Sequence, residues 1–178
     1  MTGVQTCALP ICKEEGPTSQ TDPDARFGAD NERRRFTFGY KMHVAVDQGS
    51  SLVRECLLTP ANIQEVSVAA ALVPEQAGTV YGDRGYDSAQ FRSYLAERGC
   101  GDGVMRRARA KHPLSPAEVE NNHALSLVRR AVEALFGTLK RSYGFARMRF
   151  YNARRNAVAV LLACMAFNIK RVHSLAMG

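Results

Sequence analysis

Apolar and polar residues alternate from Tyr40 to Val46, and a second apolar-rich run spans Leu52 to Leu58. Between them lies Asp47-Gln48-Gly49-Ser50, so the pattern predicts a two-stranded hairpin. After Pro60-Ala61-Asn62 the spacing becomes helical, with Ile63, Val66, Ala69, Ala70 and Val73 on one face and a stop near Pro74. Thr79 to Tyr81 reads as a short strand that ends in the turn Gly82-Asp83-Arg84-Gly85-Tyr86. Asp87-Ser88 then caps a helix from Ala89 to about Arg98, with Phe91 and Leu95 four apart. A further strand at Gly103 to Met105 feeds a basic loop containing Arg106, Arg107, Arg109 and Lys111. Beyond Pro113 and Pro116 one long helical pattern runs to about Ser142, and another spans roughly Asn152 to His173. The order β-β-α-β-α-β-α-α predicts an α/β protein in which helices cover a mixed sheet. Residues 13 to 36 are polar, carry Pro17 and Pro23, show neither period and read as a linker.

Composition narrows the class. The chain has 178 residues, 46% hydrophobic and 23% charged, which suits one globular domain and excludes wholesale disorder and collagen-like architecture. The net charge of +7 is unevenly spread: from Gly101 onward 14 basic residues face 4 acidic ones, while the first 100 residues are net acidic. A polyanion is therefore expected at the C-terminal half. Five cysteines form no C-x2-C pair and no Cys/His cluster, which points to a reducing compartment without structural zinc. The apolar stretch Ala157 to Phe167, flanked by Arg154, Arg155, Lys170 and Arg171, is too short for a bilayer and is expected as a buried helix. No membrane partner is expected.

Two places concentrate chemistry. In Arg129-Arg-Ala-Val-Glu133-Ala-Leu-Phe-Gly-Thr-Leu-Lys140 the glutamate lies four residues after Arg129, and Lys140 lies seven beyond it, on one helix face. Val128, Val132, Leu135, Phe136 and Leu139 recur on another face, which reads as core. Asp83 ends a buried-looking strand in a glycine-flanked turn, where a scaffold fixes a side chain and leaves it reachable. From Arg141 to Arg155 the bases Arg141, Arg147, Arg149, Arg154 and Arg155 interleave with Tyr143, Phe145, Phe150 and Tyr151, a mixture suited to a nucleic-acid backbone and unpaired bases. A solvated helix and a turn aspartate are the plain structural alternatives. His43 reads as a packed strand histidine, and no P-loop or G-x-S-x-G motif is present.

Taken together, these landmarks resemble the DDE transposases of bacterial insertion sequences, the group that includes insertion sequences four and five. The resemblance rests on TDPDARFG at 21 to 28, FGYKMHVAVD at 38 to 47, LTPANIQE at 58 to 65, YGDRGYDS at 81 to 88, and VRRAVEALFGTLKRSYGFARMRF at 128 to 150. It implies an RNase H-like sheet flanked by helices across residues 37 to 174. It further implies that Asp83 and Glu133 are catalytic carboxylates holding two Mg²⁺ or Mn²⁺ ions, with Arg129 and Lys140 as phosphate-binding partners. Arg84, with the later arginines, is expected on the DNA. Ser126 stands where the family signature has a tyrosine.

The first family aspartate, on the first strand of that sheet, has no counterpart here. Residues 1 to 12 resemble the translation of a sequencing-library adapter, so the chain is expected to be a C-terminal fragment lacking that strand and inactive alone. Double-stranded DNA is the expected partner, a homodimer the expected intact assembly, and the bacterial cytoplasm with its nucleoid the expected location. The alternatives are a non-catalytic DNA-binding remnant and an RNase H-like metal-dependent nuclease.

Overall fold

The computed structural model describes residues 19–30, 35–110 and 112–177, and the adapter-like leader and Lys111 lie outside them. Three antiparallel strands open the fold: β1 (Arg26–Asp30), β2 (Arg35–Val46) and β3 (Val53–Pro60). The long β2 is shared. Its first half pairs with β1, from Arg26 opposite Gly39, and its second half pairs with β3, from Tyr40 opposite Pro60 to Val46 opposite Val53. The predicted hairpin is thus present. Its turn is closed by Asp47, whose Oδ2 accepts from the Ser50 amide at 2.8 Å and the Ser50 hydroxyl at 2.6 Å.

Strand β1 corrects the linker reading of residues 13 to 36. Its polar flank is anchored: Asp22 is buried and accepts the Tyr40 hydroxyl at 2.6 Å, while Asp24 accepts the Ala153 amide at 3.1 Å. Phe27 packs on Phe38 with ring centroids 4.9 Å apart. Gly28 runs so close to the Ala61 carbonyl that a Cβ there would collide with backbone. Polar residues satisfied by distant partners carry no periodic signal, and for that reason the strand is hidden in the pattern.

A short helix, α1 (Glu65–Val68), and a 3-10 turn at Ala70–Leu72 replace the single helix expected up to Pro74. Strand β4 (Thr79–Gly82), helix α2 (Ala89–Glu97) and strand β5 (Gly101–Val104) then form a crossover unit in which β4 and β5 are parallel. Ser88 caps α2 by accepting the Phe91 amide at 3.1 Å, as its position predicts. Among the described residues β4 and β5 form a two-stranded sheet separate from β1-β2-β3, so the single mixed sheet expected from the element order is not formed.

The long helix expected to reach Ser142 is two: α3 (Pro116–Val128) and α4 (Arg130–Ser142), joined at Arg129. Ser115 and Glu118 form a capping box at the start of α3. The final helix, α5 (Ala153–Met177), is not the buried helix expected. Val160, Ala163 and Cys164 pack against β3, whereas Val158, Leu161, Leu162, Met165, Ile169 and Val172 are exposed. Apolar residues surround this helix on every side, and one sheet can cover only one of them. By length and composition α5 would suffice to cross a membrane, a criterion that apolar core helices also meet. Asn168 fixes it to the sheet, accepting the Val53 amide at 2.8 Å and donating to the Val53 carbonyl at 2.9 Å.

Two hydrophobic cores result. One joins β2 and β3 to α4 and α5 around Val53, Leu135, Leu139 and Val160. The other joins the α1 region, α2 and β4-β5 around Ala69, Val73, Phe91, Leu95 and Val104. The second is locked by Asp87, which accepts from the Arg92 guanidinium at 2.9 Å and from the Arg107 amide at 2.8 Å. Burial on its own raises the Asp87 carboxyl, but the Arg107 amide and Arg92 outweigh it and hold it below its ordinary 3.8. A depressed carboxyl stabilises the fold above that value and stops doing so as the pH falls past it. Asp87→Ala is expected to cost about 3 kcal/mol in urea unfolding at pH 7 by leaving Arg92 without its most buried partner. That difference should shrink as the pH drops below 3.8.

Candidate active site

Asp83 stands immediately beyond the C-terminal end of β4 and caps the turn Arg84–Tyr86, its Oδ1 accepting the Gly85 amide at 2.8 Å. That bond fixes one carboxylate oxygen and leaves the other, Oδ2, turned toward Arg129, whose guanidinium lies 3.5 Å away. The Asp83 side chain is 42% exposed, so it is both anchored and reachable. Arg129 occupies the junction of α3 and α4. Its carbonyl accepts the Glu133 amide at 3.3 Å, which starts the first turn of α4. Glu133 is exposed in that turn, where a carboxylate complements the helix dipole.

The structure therefore brings Asp83 and Arg129 into contact and hangs Glu133 one turn along the same helix. Lys140 follows in the last turn of α4, exposed and facing a second cavity lined also by Arg147 and Arg149. Arg141 folds back on its own helix, with a guanidinium nitrogen 3.1 Å from where a Cβ on Gly137 would sit. Arg154 and Arg155 are exposed in the first turn of α5, their amides capped by the Asn152 side-chain Oδ1. Arg84 is exposed in the turn after Asp83.

Asp83 and Arg129 border a cavity of about 980 Å³. Its walls are residues 41–48 on β2 and the following turn, residues 72–83 ending in β4, and Val128, Val132 and Phe136 from the helices. The apolar face of α4 thus divides: Leu135 and Leu139 are core, whereas Val132 and Phe136 look into the cavity. Each strand presents an unpaired edge. Among the described residues β2 pairs only with β3 over Tyr40 to Val46, and β4 pairs only with β5.

Sequence reasoning passed over the ion pair of Lys41 and Glu65. Lys41 Nζ lies 2.9 Å from Glu65 Oε1 and also donates to the Ile63 carbonyl at 3.2 Å. A Cβ on Gly85 would sit 3.0 Å from Asp83 Oδ1 and 3.4 Å from Glu65 Cγ, so the two acids flank one glycine. Burial raises the Glu65 carboxyl, and the Lys41 bond, its own backbone amide and the Lys41 charge together bring it below its ordinary value. The available signal was the one that marks Asp83, an acid just past a strand end. His43, on the same β2 face as Lys41, is buried and shares a 2.9 Å hydrogen bond with Thr59. Burial lowers its pKa, keeping the ring neutral, in keeping with a packed strand histidine.

Carboxylate oxygens suit hard divalent ions, and Asp83 and Glu133 offer them. Among the described residues, however, no group of three or more His, Cys, Asp and Glu side chains is close enough to hold a metal ion. Two carboxylates, Asp83 and Glu133, are too few donors for a whole metal cage.

Residues 8–169 match the family model described as "Transposase DDE domain". The chain is 34% identical over 171 residues to the "Transposase for insertion sequence element IS1106" of Neisseria meningitidis serogroup B. That alignment covers 93% of this chain and 58% of the relative, so the chain spans less than two thirds of the relative's length. No solved structure matches.

Exposed Glu133 and buried Leu135 should separate cleanly in their effect on stability. Glu133→Ala is expected to change unfolding free energy by no more than about 0.5 kcal/mol, because the side chain is exposed. Leu135→Ala, at a side chain with no exposure, should cost about 3 kcal/mol in the same urea titration.

Proposed function

Since the chain belongs to the DDE-domain transposase family, we propose that it is the part of a transposase catalytic domain bearing the second aspartate and the glutamate. The reaction of the whole enzyme is phosphodiester cleavage at insertion-element ends and strand transfer into target DNA. The observation that carries this reading is the Asp83–Arg129 contact, which ties a strand-end carboxylate to the helix bearing Glu133 at the rim of one cavity.

Each side chain has a task in an in-line displacement at phosphorus. Asp83 and Glu133 supply carboxylate oxygens to divalent ions, Mg²⁺ or Mn²⁺, two of them in the complete site. Such ions activate the attacking oxygen and stabilise the leaving one. Arg129 offers a planar fork to a phosphate flanking the scissile bond, and Lys140 offers a point charge further along the strand. Arg84, Arg141, Arg147, Arg149, Arg154 and Arg155 extend the cationic surface along double-stranded DNA. Arg154 and Arg155 support this role, because cations in the first turn of a helix oppose its dipole unless an anion lies nearby.

The third carboxylate belongs, on this reading, to a strand seated between the free edges of β2 and β4. Such a strand would join the two observed sheets into one RNase H-like sheet and cover Val132 and Phe136. The intact enzyme acts as a homodimer in the bacterial cytoplasm, at the nucleoid. A non-catalytic DNA-binding role is the second reading, favoured by the lack of a three-carboxylate cluster among the described residues.

The chain should not nick supercoiled plasmid with Mg²⁺ or Mn²⁺, since the described residues offer no third carboxylate to complete the cage. Nicking that Glu133→Ala abolishes would contradict the missing-arm account. Duplex DNA should bind weakly, with affinity falling at least tenfold between about 50 and 200 mM salt in an anisotropy titration. A salt-independent affinity would remove DNA as the partner of the basic half.

A further inference from the structure

Helix α5 has two apolar sides, and the core uses one of them. Val160, Ala163 and Cys164 are buried against β3, and Asn168 and Arg171 tie that side to the sheet through Val53 and the Ser50 carbonyl. On the far side Val158, Leu161, Leu162, Met165, Ile169 and Val172 are each at least 50% exposed, so no described element covers them. Their spacing of three and four residues gathers them into a band about 100° wide and roughly 20 Å long. The helix carries no charged residue from Asn156 to Ile169. The outer face of a surface helix is ordinarily polar. This band instead exposes roughly 600 Å² of apolar surface, as much as the largest patch on an ordinary monomer, and such patches mark interaction sites.

The band is symmetric about Met165. Val158 and Val172 lie seven residues to either side of it, and Leu161 and Ile169 lie four. Laid antiparallel on a second copy, with both Met165 side chains at the two-fold axis, the helix sets valine against valine and leucine against isoleucine. A two-fold contact requires this self-complementarity. Charge selects the same register: Arg154 and Arg155 then oppose Ala176 and Leu175, whereas a parallel pair sets each arginine against its own counterpart. The two bands together bury about 1,200 Å², the lower end of the range for stable interfaces. Crossing a bilayer, by contrast, would break the Asn168 and Arg171 bonds and empty the first core.

We propose that two copies of this chain meet through the outer face of α5, packed antiparallel about Met165. The inference rests on the homodimer reading above and gives that dimer its surface. The positive charge of the C-terminal half does not oppose the pairing. The two first turns, each bearing Arg154 and Arg155, fall at opposite ends of the interface roughly 30 Å apart, several times the screening length of about 8 Å at physiological salt. The seam itself holds no polar side chain in need of a partner, so the association is hydrophobic and does not weaken as salt rises.

Sedimentation equilibrium of the full chain without DNA, from about 1 to 100 µM, supplies the test. The chain should pass from monomer to dimer across that range. Leu161→Asp, at a half-exposed side chain, should keep the wild-type urea midpoint and weaken association at least about tenfold. Register is read by cross-linking. Met165→Cys should give, on mild oxidation, a reductant-sensitive dimer whose linked peptides map to position 165. Val158→Cys should give no link at its own position, because its counterpart lies roughly 20 Å away. Equal self-linking of the two variants overturns the antiparallel register. A dimer that Leu161→Asp leaves whole overturns the α5 interface and leaves the homodimer reading standing. A wild-type chain that stays monomeric at every concentration overturns both.

Discussion

Two hydrophobic cores that share no residue govern this structure, because the strands framing the space between them, β2 and β4, each present an edge with no partner among the described residues. A backbone edge buried without partners is costly, and one open to water is a template for another strand. The cavity of about 980 Å³ between the edges explains much of what surrounds it. Val132 and Phe136 have the spacing of core residues and, among the described residues, line the cavity instead. Asp83, fixed by the Gly85 amide at the mouth of that space, is open to solvent. A strand between the edges would merge the cores and close the sheet.

Charge is arranged around the same opening. Arg129 serves as counter-ion to Asp83, while Lys41 does the same for Glu65 on the far side of Gly85. Neither pair is deeply buried, so their contribution to stability is modest, and each holds a carboxylate in place. Helix α4 connects these tasks. One side anchors the first core through Leu135 and Leu139, and the exposed side carries Glu133 and, two turns later, Lys140.

Much of this was legible in residue order. Alternation marked the hairpin, the Ser88 cap marked α2, and the glycine-flanked Asp83 was placed at a strand end where the structure has it. Local pattern failed where distant partners decide the conformation. Strand β1 depends on Tyr40, Ala61 and Ala153, none of them near it in sequence. The break at Arg129 leaves no proline or glycine to announce it, and the pairing of Lys41 with Glu65 spans 24 residues and an intervening strand. The exposure of α5 was equally hidden, because composition reports how apolar a helix is and not how much of it a neighbour covers.

Amide hydrogen exchange along β4 tests the open-edge account most directly. The Gly78 and Gly82 carbonyls accept from Gly101 and Met105, so in a parallel ladder the Val80 amide faces β5 while those of Thr79 and Tyr81 face the cavity. Thr79 and Tyr81 should exchange at close to the unprotected rate, and Val80 should be protected well above both. Equal protection at all three amides would mean that the edge is paired, and the account of an open β4 edge beside Asp83 would fail.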